Sequence, residues 1–165
     1  MDSDKAKKWI TLGANLGVLI GIFLLIVELQ QNREMMRAQT RTDVAAMSID
    51  RLQAIASDQG LADIVRRARF GEELDDTEST RYLFHTLATF RTFENVHYQY
   101  RLGLFDESEF AGELKSFQQL VTGSVGLTRH WCQFRVVTSK EFRIQVDAVF
   151  DDLNCDEQAI GTQID

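Results

Sequence analysis

An uninterrupted apolar segment near the N-terminus constrains this chain more than any other feature. Residues 10–27 contain no charged side chain, and with Trp9 and Leu29 the segment reaches about 20 residues, the length that crosses a bilayer core as a helix. The polar stretch that follows, residues 28–33, offers no small-residue cleavage site, which argues against a signal peptide. The length of the run argues against a buried helix of a soluble protein. The sequence therefore predicts an uncleaved transmembrane helix over residues 9–29, in contact with the lipid bilayer.

Three glycines inside this segment lie four residues apart, at Gly13, Gly17 and Gly21. The spacing places them on one helical face, where small residues let a second membrane helix approach closely. Asn15 is the one strongly polar residue at depth, and it would either hydrogen-bond across that interface or stay hydrated near the headgroups. Glycine is common in membrane helices generally, so the alternative is that these three glycines pack against no second helix. We expect these four residues to pack membrane helices and to make the protein a homo-oligomer.

Basic residues flank both ends of the segment and leave its orientation open. Lys and Arg near the cytoplasmic end of a span usually outnumber those at the other end. The N-terminal side carries Lys5, Lys7 and Lys8, and the C-terminal side carries Arg33, Arg37 and Arg41. The two counts are equal, so the rule does not orient the anchor.

The helical pattern continues beyond the membrane segment. The chain has no proline, and no glycine occurs between Gly21 and Gly60. Residues at successive heptad a and d positions, most of them small, form what we call the seam: Met35, Ala38, Thr42, Ala45, Ile49, Leu52 and Ala56. Such a seam either pairs with the same helix of another chain or packs inside the chain's own bundle, and the second is the default expectation. We expect the helix over residues 78–102 to cover part of this outer half.

Turn and capping signals divide the rest of the chain into further helices, and no segment alternates as a strand. Helices are predicted over residues 61–70, 78–102, 107–121, 127–137 and 139–153. The capping residues are Asp58 with Gly71 at the end of the same helix, Asp76 or Thr77, Asp106 with Glu109, and Thr138 with Glu141.

The predicted fold is all-α, with an N-terminal transmembrane helix that continues into a long helix and is followed by a small helical bundle. The predicted divisions are an N-terminal tail over 1–8, the transmembrane helix over 9–29, the helical bundle domain over 30–153 and a disordered tail over 154–165.

Charge and cysteine content restrict the partners and the compartment. The net charge is -7, with 25 acidic and 18 basic residues, so no basic patch for nucleic acid is expected. Cys132 and Cys155 have neither metal-ligand spacing nor the pattern of a disulfide framework. One bridge between them is conceivable, but two free thiols in a reducing compartment are the preferred interpretation.

An E-x-x-H pattern, Glu94 and His97, places a carboxylate and an imidazole on one helical face. A di-iron bundle needs two such pairs and further inward glutamates, and the second pair is missing, so no metal is predicted. Pairing of Glu94 with Arg91 or Arg135, and packing of His97, are the preferred alternative. A ligand-binding polar core would combine Arg91, Glu94, His97 and Tyr98. No phosphate loop or catalytic triad is recognisable, so no catalytic residue and no cofactor are predicted.

Residues 90–106, FRTFENVHYQYRLGLFD, resemble an F-E-N-x-x-Y-Q-Y-x-x-G-L segment, and residues 29–33 resemble an L-Q-Q-N-R exit from a membrane helix. Both are typical of a widespread family of uncharacterised bacterial single-pass membrane proteins, which this chain resembles from residue 9 to residue 153. The resemblance implies an anchored, all-helical bacterial protein of the inner membrane without a known activity. It also implies a cytoplasmic domain, because the tail before the membrane is poor in basic residues in similar sequences; Lys5, Lys7 and Lys8 depart from that pattern.

These features favour a membrane-anchored interaction or scaffolding module that self-associates, with a further membrane-protein partner as an option. A ligand-sensing or enzymatic domain built on the polar core is the alternative, and a non-catalytic role is preferred to it. An oligomeric pore with Asn15 or Glu28 facing the lumen ranks third.

Overall fold

A computed structural model describes residues 3–149 and residue 155, and every element in this part of the chain is helical. The elements are α1 (Ser3–Ser57), α2 (Gln59–Arg69), α3 (Asp76–Arg101), α4 (Glu107–Thr122), α5 (Val125–Phe134), a 3-10 helix (Arg135–Val137) and α6 (Lys140–Asp147). The predicted all-α fold, a long N-terminal helix followed by smaller helices that pack together, is confirmed. The predicted disordered tail over 154–165 lies outside the described residues, apart from Cys155.

The chain divides into two compact units, Met1–Gln39 and Thr40–Asp165, which we call the anchor unit and the helical domain. In the described part of the chain, one helix is long and apolar enough to cross a membrane by length and composition, and none of its most apolar stretch is buried. That helix, α1, already begins at Ser3, within the stretch predicted as a tail. The absence of proline, and of glycine between Gly21 and Gly60, explains why α1 runs for 55 residues.

Side-chain caps begin α2 and α3. The Asp58 carboxylate accepts a hydrogen bond from the backbone N–H of Leu61 at 2.9 Å, as predicted, and Gly71 follows the end of α2 with φ of 74°. The cap of α3 is Asp75, one residue before the predicted Asp76 or Thr77. Asp75 is the cap because its backbone N–H donates to the carboxylate of Glu78, three residues later, at 3.0 Å, which completes a capping box.

Two predicted capping boxes are wrong. Asp106 does cap α4, but its carboxylate binds the N–H of Ser108 at 2.9 Å, and Glu109 pairs with Arg41 instead. Thr138 does not cap α6. Its hydroxyl donates to the Arg135 carbonyl at 2.9 Å, inside the 3-10 turn that precedes the helix.

The actual N-cap of α6, Ser139, makes no side-chain cap bond of its own. Its backbone N–H donates instead to a Glu94 Oε1 at 2.6 Å, so a carboxylate from α3 caps this helix. At the start of α5, the cap is Ser124, and the helix begins two residues before the predicted Leu127.

Aromatic residues from four helices form the main core of the helical domain. Its members are Phe90 and Phe93 of α3, Phe117 and Val121 of α4, Leu127 and Trp131 of α5, and Phe142 and Val146 of α6. Trp131 is fully buried, and its indole N–H donates to the Asp147 carboxylate at 2.9 Å, which satisfies the one polar group of the side chain.

Candidate functional site

One face of the outer part of α1, residues 40–57, packs against the helical domain. Val44 is buried together with Val96 of α3 and Phe105, and Met47 lies against the same cluster. Arg51 holds its guanidinium 5.7 Å from the centre of the Phe93 ring, a cation–π contact. The outer half of α1 is therefore partly covered by the helix over residues 78–102, as the sequence predicts.

The seam takes no part in that packing. Its members inside the helical domain are all exposed: Thr42, Ala45, Ile49, Leu52 and Ala56. Ile49 is 51% exposed and Leu52 57%. Five residues separate Ile49 from Val44, which turns the helix by about 140°. The default expectation that the seam packs inside the chain's own bundle is wrong, because another face of α1, with Val44 and Met47, occupies the space beside Val96.

The glycine stripe of the anchor unit is open. A Cβ built on Gly13, Gly17 or Gly21 meets nothing within 4 Å. Asn15 is exposed, as are the two seam residues of this unit, Met35 and Ala38. The predicted membrane-packing residues thus carry no contact from the described part of this chain that would prevent a second helix from approaching.

The predicted polar core does not converge on a cavity. Both Glu94 carboxylate oxygens are engaged, one with Arg91 at 2.5 Å and the other with the N–H of Ser139 at 2.6 Å. Arg135, the other proposed partner, binds Asp147 instead at 2.7 Å. Glu94 therefore has a structural role, the joining of α3 to the start of α6.

His97 and Tyr98 do not join Glu94 in a common site. His97 is 8% exposed and lies between the rings of Phe110 and Phe142, with centroids 5.9 and 5.8 Å away. Burial, with a smaller contribution from Arg101, holds the His97 pKa below its usual range. The space beside it is about 10 Å³, room for one water at most, while Tyr98 is 52% exposed. These four residues form no shared ligand site.

A polar cleft of about 590 Å³ was not predicted from the sequence. It lies between α2, the loop after it, α3 and α5, and its lining includes Tyr82, Arg129 and His130. The Nδ1 atom of His130 is buried without a hydrogen bond in the described part of the chain, and burial, then Arg129, lowers the His130 pKa. No local pattern marks this cleft, because its walls come from segments about 60 residues apart in sequence.

A disulfide joins Cys132 of α5 to Cys155, with Cα atoms 5.1 Å apart. The separation falls in the ordinary range for such bonds. The interpretation of two free thiols is therefore wrong, since neither cysteine is free. The sequence did not reveal the bond because a separation of 23 residues along the chain does not show how far apart two side chains lie in space.

Comparisons with known proteins add no function to this geometry. The chain matches no protein-family model, no curated protein and no solved structure. Among residues 3–149 and 155, no group of three or more His, Cys, Asp and Glu side chains is placed to hold a metal ion.

Proposed function

We propose that this protein is a membrane-anchored interaction or scaffolding module that self-associates. The observation that carries the proposal is the exposure of the seam. Residues at heptad a and d positions, including Ile49 and Leu52, face away from the core of their own domain. A helix face with that spacing, exposed in the described part of its chain, is typical of helices that pair.

A second copy of the chain is the partner that the seam fits best. Ile49 occupies an a position and Leu52 a d position, the combination that favours a parallel coiled coil of two helices. Anchors in one membrane hold two copies parallel. The flanking e and g positions carry one charge, Arg41, among six residues, so like charges do not oppose pairing: Gln39, Arg41, Ala46, Ser48, Gln53 and Ile55.

The anchor unit supplies the second part of the proposal. We propose that its span crosses a bacterial inner membrane once, in keeping with the family that the sequence resembles. That the chain belongs to this family is likewise a proposal. The open stripe of Gly13, Gly17 and Gly21 lets two spans approach closely. Asn15 would add a hydrogen bond between them, and an additional membrane-protein partner is compatible with the same face.

The competing hypotheses gain less support from the contacts. A ligand-sensing or enzymatic role for Arg91, Glu94, His97 and Tyr98 would need these residues to line a cavity, and the first two are paired with each other. A pore would need Asn15 or Glu28 to face a wide lumen, whereas a glycine stripe favours tight pairs of helices.

The seam is tested by Ile49→Asp in the full chain, with crosslinking in native membranes and mass measurement in mild detergent. We expect the wild-type protein to be a dimer and the variant to associate at least about tenfold more weakly, because an unpaired carboxylate would be buried in the pair. Ile144→Asp is the matched control, since Ile144 is an exposed isoleucine of α6 outside the seam. It should dimerise like the wild type.

The glycine stripe is tested separately by Gly17→Ile, with Leu19→Ile as the control on the opposite side of the span. Isoleucine at position 17 should separate the spans and weaken crosslinking within the membrane, while the control should not. Dimers that persist unchanged in both Gly17→Ile and Ile49→Asp would overturn the proposed self-association. A monomeric wild-type protein would overturn it as well.

A further inference from the structure

The Cys132–Cys155 bond is the one covalent link between distant parts of the described chain, and it bears on which side of the membrane the helical domain occupies. It joins α5 to a residue beyond α6, so it encloses the 3-10 helix and α6 in one loop. The chain contains two cysteines, and both are used.

A structural disulfide is informative about compartment. In a cytosol, thioredoxin and glutathione systems keep protein thiols reduced, whereas bonds of this kind persist in a periplasm or another oxidising space. To form the bond, each thiol loses a proton and an electron. The two electrons pass to the disulfide of a thiol oxidoreductase by thiol–disulfide exchange, which leaves that enzyme as a dithiol.

We infer that the helical domain lies on the oxidising, extracytoplasmic face of the membrane and that the N-terminus lies in the cytoplasm. This is opposite to the side that the family resemblance implies. The inference does not depend on self-association, because two copies can pair on either side of the membrane.

The charges near the span are compatible with this orientation. Lys5, Lys7 and Lys8 would then lie on the cytoplasmic side, and because the two flanks carry equal numbers of basic residues the positive-inside rule does not oppose this orientation. On the other side, Arg41 pairs with Glu109 of α4 at 3.0 Å, so one of the three arginines belongs to the surface of the helical domain. Large domains also cross the membrane largely regardless of their charge.

The redox state is tested on the full chain in bacterial cells. Thiols are trapped by acid and then reacted, under denaturing conditions, with a maleimide that carries a polyethylene glycol chain. We expect no adduct on the wild-type protein before reduction and two adducts after reduction, one for each cysteine. Cys132→Ser and Cys155→Ser should each give one adduct without reduction, which shows that the reagent reaches the thiols. Two adducts on the unreduced wild-type protein would overturn the inference.

The orientation is tested independently by adding protease to spheroplasts. The helical domain should be digested while a cytoplasmic marker protein stays intact. The double variant Cys132→Ser/Cys155→Ser tests whether orientation follows from the anchor, and it should be digested from the same side. A wild-type domain that resists protease until the cells are lysed, and is then digested, would place the domain in the cytoplasm and overturn the inference.

Discussion

The anchor unit and the helical domain place the same residue types in opposite surroundings. Trp9 of the anchor unit is 71% exposed, whereas Trp131 of the helical domain is fully buried. Gly17 has open space around it, whereas a Cβ on Gly126 would lie 2.6 Å from the Tyr82 hydroxyl. The domain covers the apolar residues of its core with its own chain. The most apolar stretch of the anchor unit has no such cover in the described part of the chain, as expected of a candidate membrane span.

The same contrast recurs within the helical domain, between two faces of residues 40–57. Val44 is 3% exposed and fixes the helix to Val96 and Phe105, whereas Ile49 is half exposed on the seam. One face maintains the fold, and the other is exposed. Substitutions of equal chemistry on the two faces should therefore have effects of different kinds.

The largest effect is expected from Val44→Asp. A carboxylate buried beside Val96 and Phe105 has no cationic partner in that cluster, and it should destabilise the domain by about 3 kcal/mol or more. Ile49→Asp should change the free energy of unfolding of the monomer by less than about 0.5 kcal/mol. Both changes in stability are measured by thermal unfolding followed by circular dichroism, in detergent and with the protein dilute enough to exclude association.

The two variants together test whether the two faces of residues 40–57 differ. If Ile49→Asp destabilises the monomer as much as Val44→Asp does, the seam belongs to the core and the two faces are not distinct. If neither variant changes stability, the outer part of α1 does not contribute to the domain at all.

A smaller effect is expected from Gly126→Ala. The added methyl group would also lie 2.9 Å from the Ala68 carbonyl, so α2 and α5 must move apart, at a cost of about 1–3 kcal/mol. Gly112→Ala is the matched control within α4, where a Cβ meets nothing, and it should stabilise the domain by about 0.5–1 kcal/mol. Equal melting temperatures for the two variants would contradict the close approach of these helices.

The smallest effect is a dependence of stability on pH. Burial keeps the pKa values of His85, His97 and His130 below the ordinary histidine value, so the unfolded chain binds more protons than the folded domain in mildly acidic solution. Stability should therefore be fully present above about pH 7 and fall, by about 1 kcal/mol, as the pH drops to about 5.5. His97→Gln should reduce this fall, and melting temperatures that rise on acidification would contradict it.

Most of the fold could be predicted because its signals are local. The apolar run over residues 10–27 and the uninterrupted helical pattern after it are properties of neighbouring residues, and so are caps such as Asp58. The capping boxes predicted for Thr138 and for Asp106 with Glu109 were wrong because side chains distant in sequence bind at these helix starts instead. Glu94 of α3 supplies the cap of α6, and Arg41 of α1 takes Glu109.

An all-α chain with an apolar N-terminal segment, a glycine stripe and a heptad seam is predictable from neighbouring residues, since periodicity and length are sufficient for each. The covered face of residues 40–57 is set by contacts with residues far along the chain. Val96 and Phe105 pack against Val44, and Ile49 stays outside that cluster. The meeting of Cys132 with Cys155 was decided in the same way, because the distance between two side chains is set by packing and not by their separation in sequence.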